Sequence, residues 1–181
     1  MILEHLTLNN FGIFQGEHSF TLCPSGGNGK PSPIVLFGGT NGSGKTTILD
    51  AIHLALYGPR ANAPKRSGQA YESYLRDSIH RSASPSDGAS VSLSFRYVSE
   101  GEPHCYDVFR SWQDRQGKVR EALSVSRDGL KDRWLSDNWN QVVEDLIPLG
   151  ISQLFFFDAE KIRFLAEDPT TSDSLRPSSK S

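Results

Sequence analysis

The sequence predicts an α/β fold carrying an antiparallel β subdomain, and three observations lead there. An apolar run, Ile34-Val35-Leu36-Phe37, is followed by the glycine-rich stretch Gly38-Gly39-Thr40-Asn41-Gly42-Ser43-Gly44-Lys45-Thr46-Thr47. Behind it Ile48, Ala51, Ile52, Ala55 and Leu56 recur at i, i+3, i+4, i+7 and i+8, the apolar stripe of an amphipathic helix. Further on, three runs of alternating polarity between residues 91 and 127 follow one another too closely for parallel pairing, which needs a crossover of a dozen or more residues.

The order of elements gives the glycine-rich stretch its meaning. Gly39, four residues, then Gly44-Lys45-Thr46 satisfies the phosphate-binding pattern G-x-x-x-x-G-K-S/T, with a strand expected over 33–37 and a helix after it. Four consecutive apolar residues read as a strand buried on both faces of a parallel sheet. Glycines allow backbone amides to turn inward around an anion, and a helix N-terminus adds partial positive charge. On this pattern Gly39, Asn41, Gly42, Ser43, Gly44, Lys45, Thr46 and Thr47 form the nucleotide cradle for ATP. Lys45 reaches the β- and γ-phosphates, and the Thr46 hydroxyl takes Mg²⁺. Tyr57-Gly58-Pro59 ends the helix.

Along the chain, Ile2, Leu6 and Leu8 alternate imperfectly as a first strand. Asn9-Asn10-Phe11-Gly12 supplies a turn, and residues 16–22 form a second strand. Residues 23–33 read as a loop; Gly26-Gly27-Asn28-Gly29-Lys30 imitates a second phosphate loop but is followed by Pro31. Residues 71–79 suit a short helix. Between 58 and 81, Arg60, Lys65, Arg66, Arg76 and Arg81 outnumber Glu72 and Asp77, which suits either a DNA contact or a solvated loop. Residues 130–146 read as a helix carrying Trp134, Val142, Val143 and Leu146. Residues 151–160 read as an apolar strand ending in acid, residues 161–166 as a short helix, and 167–181 as a flexible tail or the start of a coiled coil. Asp158 at that strand's end is either a metal-side carboxylate or a core strand's terminal acid.

The bulk numbers narrow the classes. With 19 Lys+Arg against 21 Asp+Glu among 181 residues, no global field draws the chain to nucleic acid or anionic lipid. No apolar stretch reaches 18 residues, so no membrane partner is expected, and Cys23 and Cys105 read as reduced thiols of a cytoplasmic protein.

Residues 2–11 together with residues 35–52 resemble the N-terminal lobe of an SMC-like, ABC-type ATPase head. More narrowly, Phe37-Gly38-Gly39, Leu54-Ala55-Leu56-Tyr57-Gly58 and Leu154-Phe155-Phe156-Phe157-Asp158-Ala159-Glu160-Lys161-Ile162 resemble the DndD-type ATPases of bacterial DNA phosphorothioation, or sulfur modification. The resemblance spans residues 1–166. It implies an ATPase whose partners are DNA, its own C-terminal lobe, a second head in a homodimer, and other proteins of the sulfur modification system. It also implies that a Q-loop residue joins Thr46 on Mg²⁺, either Asp158 or Gln153. No Leu-Ser-Gly-Gly run and no Asp-Glu strand end occur in the chain, so the C-terminal lobe is expected to lie outside it. Gly12 stands where many such heads carry arginine. Another SMC-like DNA-repair head, a non-catalytic nucleotide sensor, and a small-molecule kinase are the competing readings.

Overall fold

The computed structural model describes residues 1–23, 34–61, 69–99, 101–152 and 155–156. Six strands form one antiparallel sheet: β1 (Ile2–Phe11), β2 (Phe14–Thr21), β3 (Ala89–Ser99), β4 (Glu102–Arg115), β5 (Lys118–Arg127) and β6 (Leu130–Asp132), in the order β2-β1-β3-β4-β5-β6. The first two strands and the later meander are therefore continuous in one sheet. β3 pairs with β1 through Leu6↔Leu93 and Leu8↔Val91, because each strand has one apolar face and the two faces match in register. Two tight turns hold the meander together. Gln116-Gly117 and Asp128-Gly129 have positive φ at both positions, the backbone twist that suits two-residue hairpins.

Helices cover one face of this sheet. In α1 (Lys45–Tyr57) every residue of the expected stripe is buried, and His53, Leu54 and Tyr57 are buried with it. Leu6, Leu8, Val91, Leu93 and Val108 are fully enclosed in the same core. Burying each such side chain contributes roughly 2 kcal/mol. Gly58 ends α1 with φ of 52° and leads into a single 3₁₀ turn, Gly58–Arg60. α2 (Tyr71–Asp77) falls within the short helix expected there. α3 (Arg133–Leu146) returns over the C-terminal end of α1, where the indole N–H of Trp139 donates to the Leu56 carbonyl at 3.0 Å. Tyr57 in turn donates its hydroxyl hydrogen to the Ile147 carbonyl at 2.9 Å. Both bonds satisfy buried carbonyls that packing alone would leave stranded.

Three expectations are corrected. Residues 34–40 form no strand, and Ile34 and Leu36 are 74% and 83% exposed. An apolar run becomes a strand only where neighbouring backbone pairs with it, and no described strand does so. Phe37 alone turns inward, edge-on to Phe20 at 6.1 Å. The parallel sheet expected around the loop is thus absent among the described residues, all of whose strand pairs are antiparallel.

The helix expected from residue 130 starts at Arg133, after β6. Asp132 caps it, accepting from the Leu135 N–H at 2.9 Å. Its buried stripe is Leu135, Trp139 and Val143, while Trp134 lies 64% exposed.

The third correction concerns residues 151–160. Ile151 and Ser152 belong to a helical turn, α4 (Leu149–Ser152), and Phe155 and Phe156 follow in a turn whose N–H groups bond the Ser152 carbonyl. A short apolar run does not by itself distinguish strand from helix. Gln153, Asp158, the expected helix at 161–166, the tail from residue 167 and the glycine-rich segment 26–30 lie outside the described residues.

Candidate functional site: a phosphate loop at the start of a helix

The loop delivers its residues to one place. Gly44 is the N-cap of α1 with φ of 96°, and Gly42 has φ of 83°, both in the region that side chains disfavour. No side chain caps the helix and its first turn holds no acidic residue. Lys45 curls back over the loop, donating from Nζ to the carbonyls of Gly39 at 2.8 Å and Thr40 at 3.0 Å. The loop itself is tight. The Ser43 N–H bonds the Thr40 carbonyl at 3.2 Å, and a Cβ on Gly39 would run into Ser43 Oγ. Thr46 and the residues from Gly39 to Ser43 are exposed, whereas Lys45 and Thr47 are half-buried.

This donor set fits a nucleoside triphosphate. It combines the amides of a helix start, an ammonium already bonded to oxygens, and the hydroxyls of Thr46 and Thr47. Among the described residues no group of three or more His, Cys, Asp or Glu side chains could hold a metal. Mg²⁺ at Thr46 would take phosphate oxygens among its ligands, as it does in phosphate sites generally.

Sequence reasoning missed the wall beside this loop. The turn between β1 and β2 leans on the start of α1: Ile13 Cδ1 and Phe14 Cζ each lie 2.8 Å from where a Cβ on Gly44 would sit. Thr47 Cγ2 stands in the same relation to Gly12, at 2.6 Å. The segment after α2 is stitched to that turn by the Gly12 N–H on the Ser78 carbonyl and the His80 N–H on the Asn10 carbonyl, both 2.7 Å. Between them lies a pocket of about 340 Å³ lined by Gly12, Ile13, Asp77, Ile79, His80 and Arg81. The positive φ of Asn10 and Gly12 was foreshadowed by the turn residues at 9–12, the one signal that could have found this wall.

Two basic residues of the stretch at 58–81 are committed to ion pairs. Arg60 pairs with Glu144 at 3.0 Å, and Arg76 pairs with Asp114 at 2.6 Å while also donating to the Gly117 carbonyl. Lys65 and Arg66 lie outside the described residues. Cys23 and Cys105 are free thiols. No helix among the described residues is long and apolar enough to cross a membrane.

A helix opening on Gly-Lys-Thr, packed on a sheet beneath a glycine-rich loop, defines a P-loop nucleoside triphosphatase fold. The comparison with protein families agrees: residues 5–180 match the AAA domain, and the chain belongs to that family. It is also similar to a subunit of the nuclease SbcCD from Treponema pallidum (strain Nichols), with 40% identity over 90 residues. That match covers 50% of this chain and 7% of the relative, so the chain corresponds to a small part of that protein.

Proposed function

We propose that the chain is the ATP-binding half of a DNA-associated, SMC-like ATPase head. The observation that carries this reading is Lys45 folded across the Gly39 and Thr40 carbonyls at an uncapped helix start. There an incoming triphosphate replaces the two carbonyls as acceptor. The loop amides and Lys45 bind the phosphates, Asn41 lies in the loop beside the γ-phosphate, and the adjoining pocket takes the nucleoside. Thr46 holds Mg²⁺, with Asp158 or Gln153 as the second protein ligand. A C-terminal lobe and a second head supply the groups that organise the attacking water, and ATP binding drives the two heads together on DNA in the cytoplasm.

The similarity to a nuclease component supports the DNA association. The narrower assignment to DNA sulfur modification rests on residues 154–162, most of which lie outside the described residues. Measuring ATP hydrolysis by the full-length protein, with and without DNA and beside Lys45→Ala, tests the proposal. Turnover that depends on Lys45 and rises with DNA is expected; undiminished turnover in Lys45→Ala would overturn it. Phosphorothioate content of cellular DNA after deletion of the gene decides the narrower assignment, which requires that content to be lost.

A further inference from the structure

We propose that the open face of the sheet, at the end where β4 turns into β5, binds the phosphate backbone of duplex DNA through Arg115, Lys118 and Arg120. Strand alternation sets this face apart from the core. Val108, Arg110 and Trp112 are buried beneath the helices, so Phe109, Ser111, Gln113 and Arg115 face the other way. Their partners on β5 are Ser124, Ala122, Arg120 and Lys118 in turn.

The charges on this face are arranged at a cost. Arg115 stands directly opposite Lys118, and Arg120 is the next residue along the same face of β5. Like charges directly opposite one another destabilise a strand pair. The two acids nearest the turn of this hairpin point away from them, and Asp107, farther along the open face of β4, accepts from the Ser94 hydroxyl at 2.6 Å. Asp114 faces α2 and is taken by Arg76 at 2.6 Å, and Glu121 is taken by Arg110 and by Tyr71, whose hydroxyl donates to it at 2.8 Å. Among the described residues none of the three cations has an ion-pair partner; Arg115 bonds only the neutral side chain of Gln113, at 3.2 Å. A surface of this kind is completed by anions from outside.

The neighbouring positions suit a phosphate backbone. The row through Phe109 continues to Ser92 and Thr7, and the row through Ser111 continues to Ser90 and Asn9 before it reaches Glu17 on β2, so short polar side chains leave a flat approach on the β3 and β1 strands next to the cations. Cations and hydroxyls are the groups that hold DNA phosphates without reading sequence. Single strands are held instead by successive stacked aromatic rings, and Phe109, 43% exposed, is the single phenyl or indole ring that the described residues expose on this face. The register also places the three cations at the end of the sheet where β1 runs into Gly12, the turn that packs against the first turn of α1.

This inference rests on the DNA-associated reading above, and the test separates the two. Duplex DNA binding by the full-length protein would be measured by fluorescence anisotropy across a salt series, for the wild type and for Arg115→Gln/Lys118→Gln/Arg120→Gln. The triple variant is expected to lose about tenfold or more in affinity at low salt. The slope of log affinity against log salt should fall by roughly one for each cation removed. Its melting temperature should be equal or higher, because a like-charge repulsion is gone, and its ATP affinity unchanged. The swap Arg115→Lys/Lys118→Arg should keep wild-type binding. Duplex binding and a salt slope unchanged in the triple variant would overturn this surface and leave the DNA association standing. Absence of salt-dependent binding by the wild type would overturn both.

Discussion

Thr47 Cγ2 lies 2.6 Å from the point a Cβ on Gly12 would occupy, so the turn between β1 and β2 is fitted against the first turn of the phosphate-loop helix. Gly12 also has φ of 58°, where a side chain costs about 1–2 kcal/mol. Gly12→Ala should therefore lower stability and also push Thr47 off its position, weakening ATP binding by about tenfold. Gly16→Ala separates the two effects. Gly16 has φ of 69° but nothing within 4 Å of its Cβ position, so it should lose similar stability and no ATP affinity. Urea midpoints and titration with a fluorescent ATP analogue measure both quantities.

Of the two tryptophans on α3, one is structural and the other is not. Trp139 has no exposure and bonds the Leu56 carbonyl, whereas Trp134 is 64% exposed. Trp139→Ala should cost about 3–5 kcal/mol, and Trp139→Phe about 1–3 kcal/mol, since it keeps a ring but strands the carbonyl. Trp134→Ala should stay within about 0.5 kcal/mol of wild type by the same denaturation measurement.

That contrast marks where sequence was legible. The stripe on α1 and the alternation of β3 were read correctly because a period of 3.6 or 2 survives in the residues themselves, and each apolar face found a partner within the chain. The α3 reading named Trp134 and left out Trp139, although Leu135, Trp139, Val142, Val143 and Leu146 fall at i, i+4, i+7, i+8 and i+11 and Trp134 lies about 100° off that stripe; the cap at Asp132 was also not read. Residues 33–37 misled for a different reason: strand formation depends on a neighbour, and hydrophobicity alone does not show whether one is there. The loop Gly39–Thr46 was legible because local backbone chemistry dictates it. The wall formed by Gly12, Ile79 and His80 was not, since those residues meet only through the Phe11↔Ile79 bridge across 68 positions of chain.

Arg110 is buried, its side chain 4% exposed, and its partner is Glu121. Its Nη1 makes that bond, its Nε and Nη2 have no hydrogen-bond partner among the described residues, and its guanidinium lies 2.9 Å from where a Cβ on Gly58 would sit. Glu121→Ala should cost about 3 kcal/mol by leaving that charge without its partner, and Glu121→Gln should cost less because an acceptor remains. The same change removes the acceptor of the Tyr71 hydroxyl, whose acidity burial suppresses to above its ordinary range. Thermal melts of the two variants, compared with Tyr71→Phe, measure the hierarchy.

The Asp128 carboxylate is held below the ordinary aspartate range by its bond with His104 at 2.8 Å and by the Cys105 N–H at 2.9 Å. A depressed folded value means that its contribution to stability is fully present above an aspartate's ordinary value near 3.8. That contribution is lost as pH falls below it towards the folded value. Asp128→Asn should accordingly flatten the acid side of the stability–pH curve. Carboxyl chemical shifts through an acid titration would locate the depressed value directly.

ATP affinity is the most direct measure of whether the loop Gly39–Thr46 holds a nucleoside triphosphate with Lys45 at its phosphates. Isothermal titration of the full-length protein with ATP and Mg²⁺ should show one site per chain, with affinity reduced at least about a hundredfold in Lys45→Ala, as loss of a charge-assisted bond to phosphate requires. The urea midpoint should change little, because Lys45 bonds carbonyls of its own exposed loop. Equal ATP affinity in the wild type and in Lys45→Ala, with both proteins folded, would contradict the account.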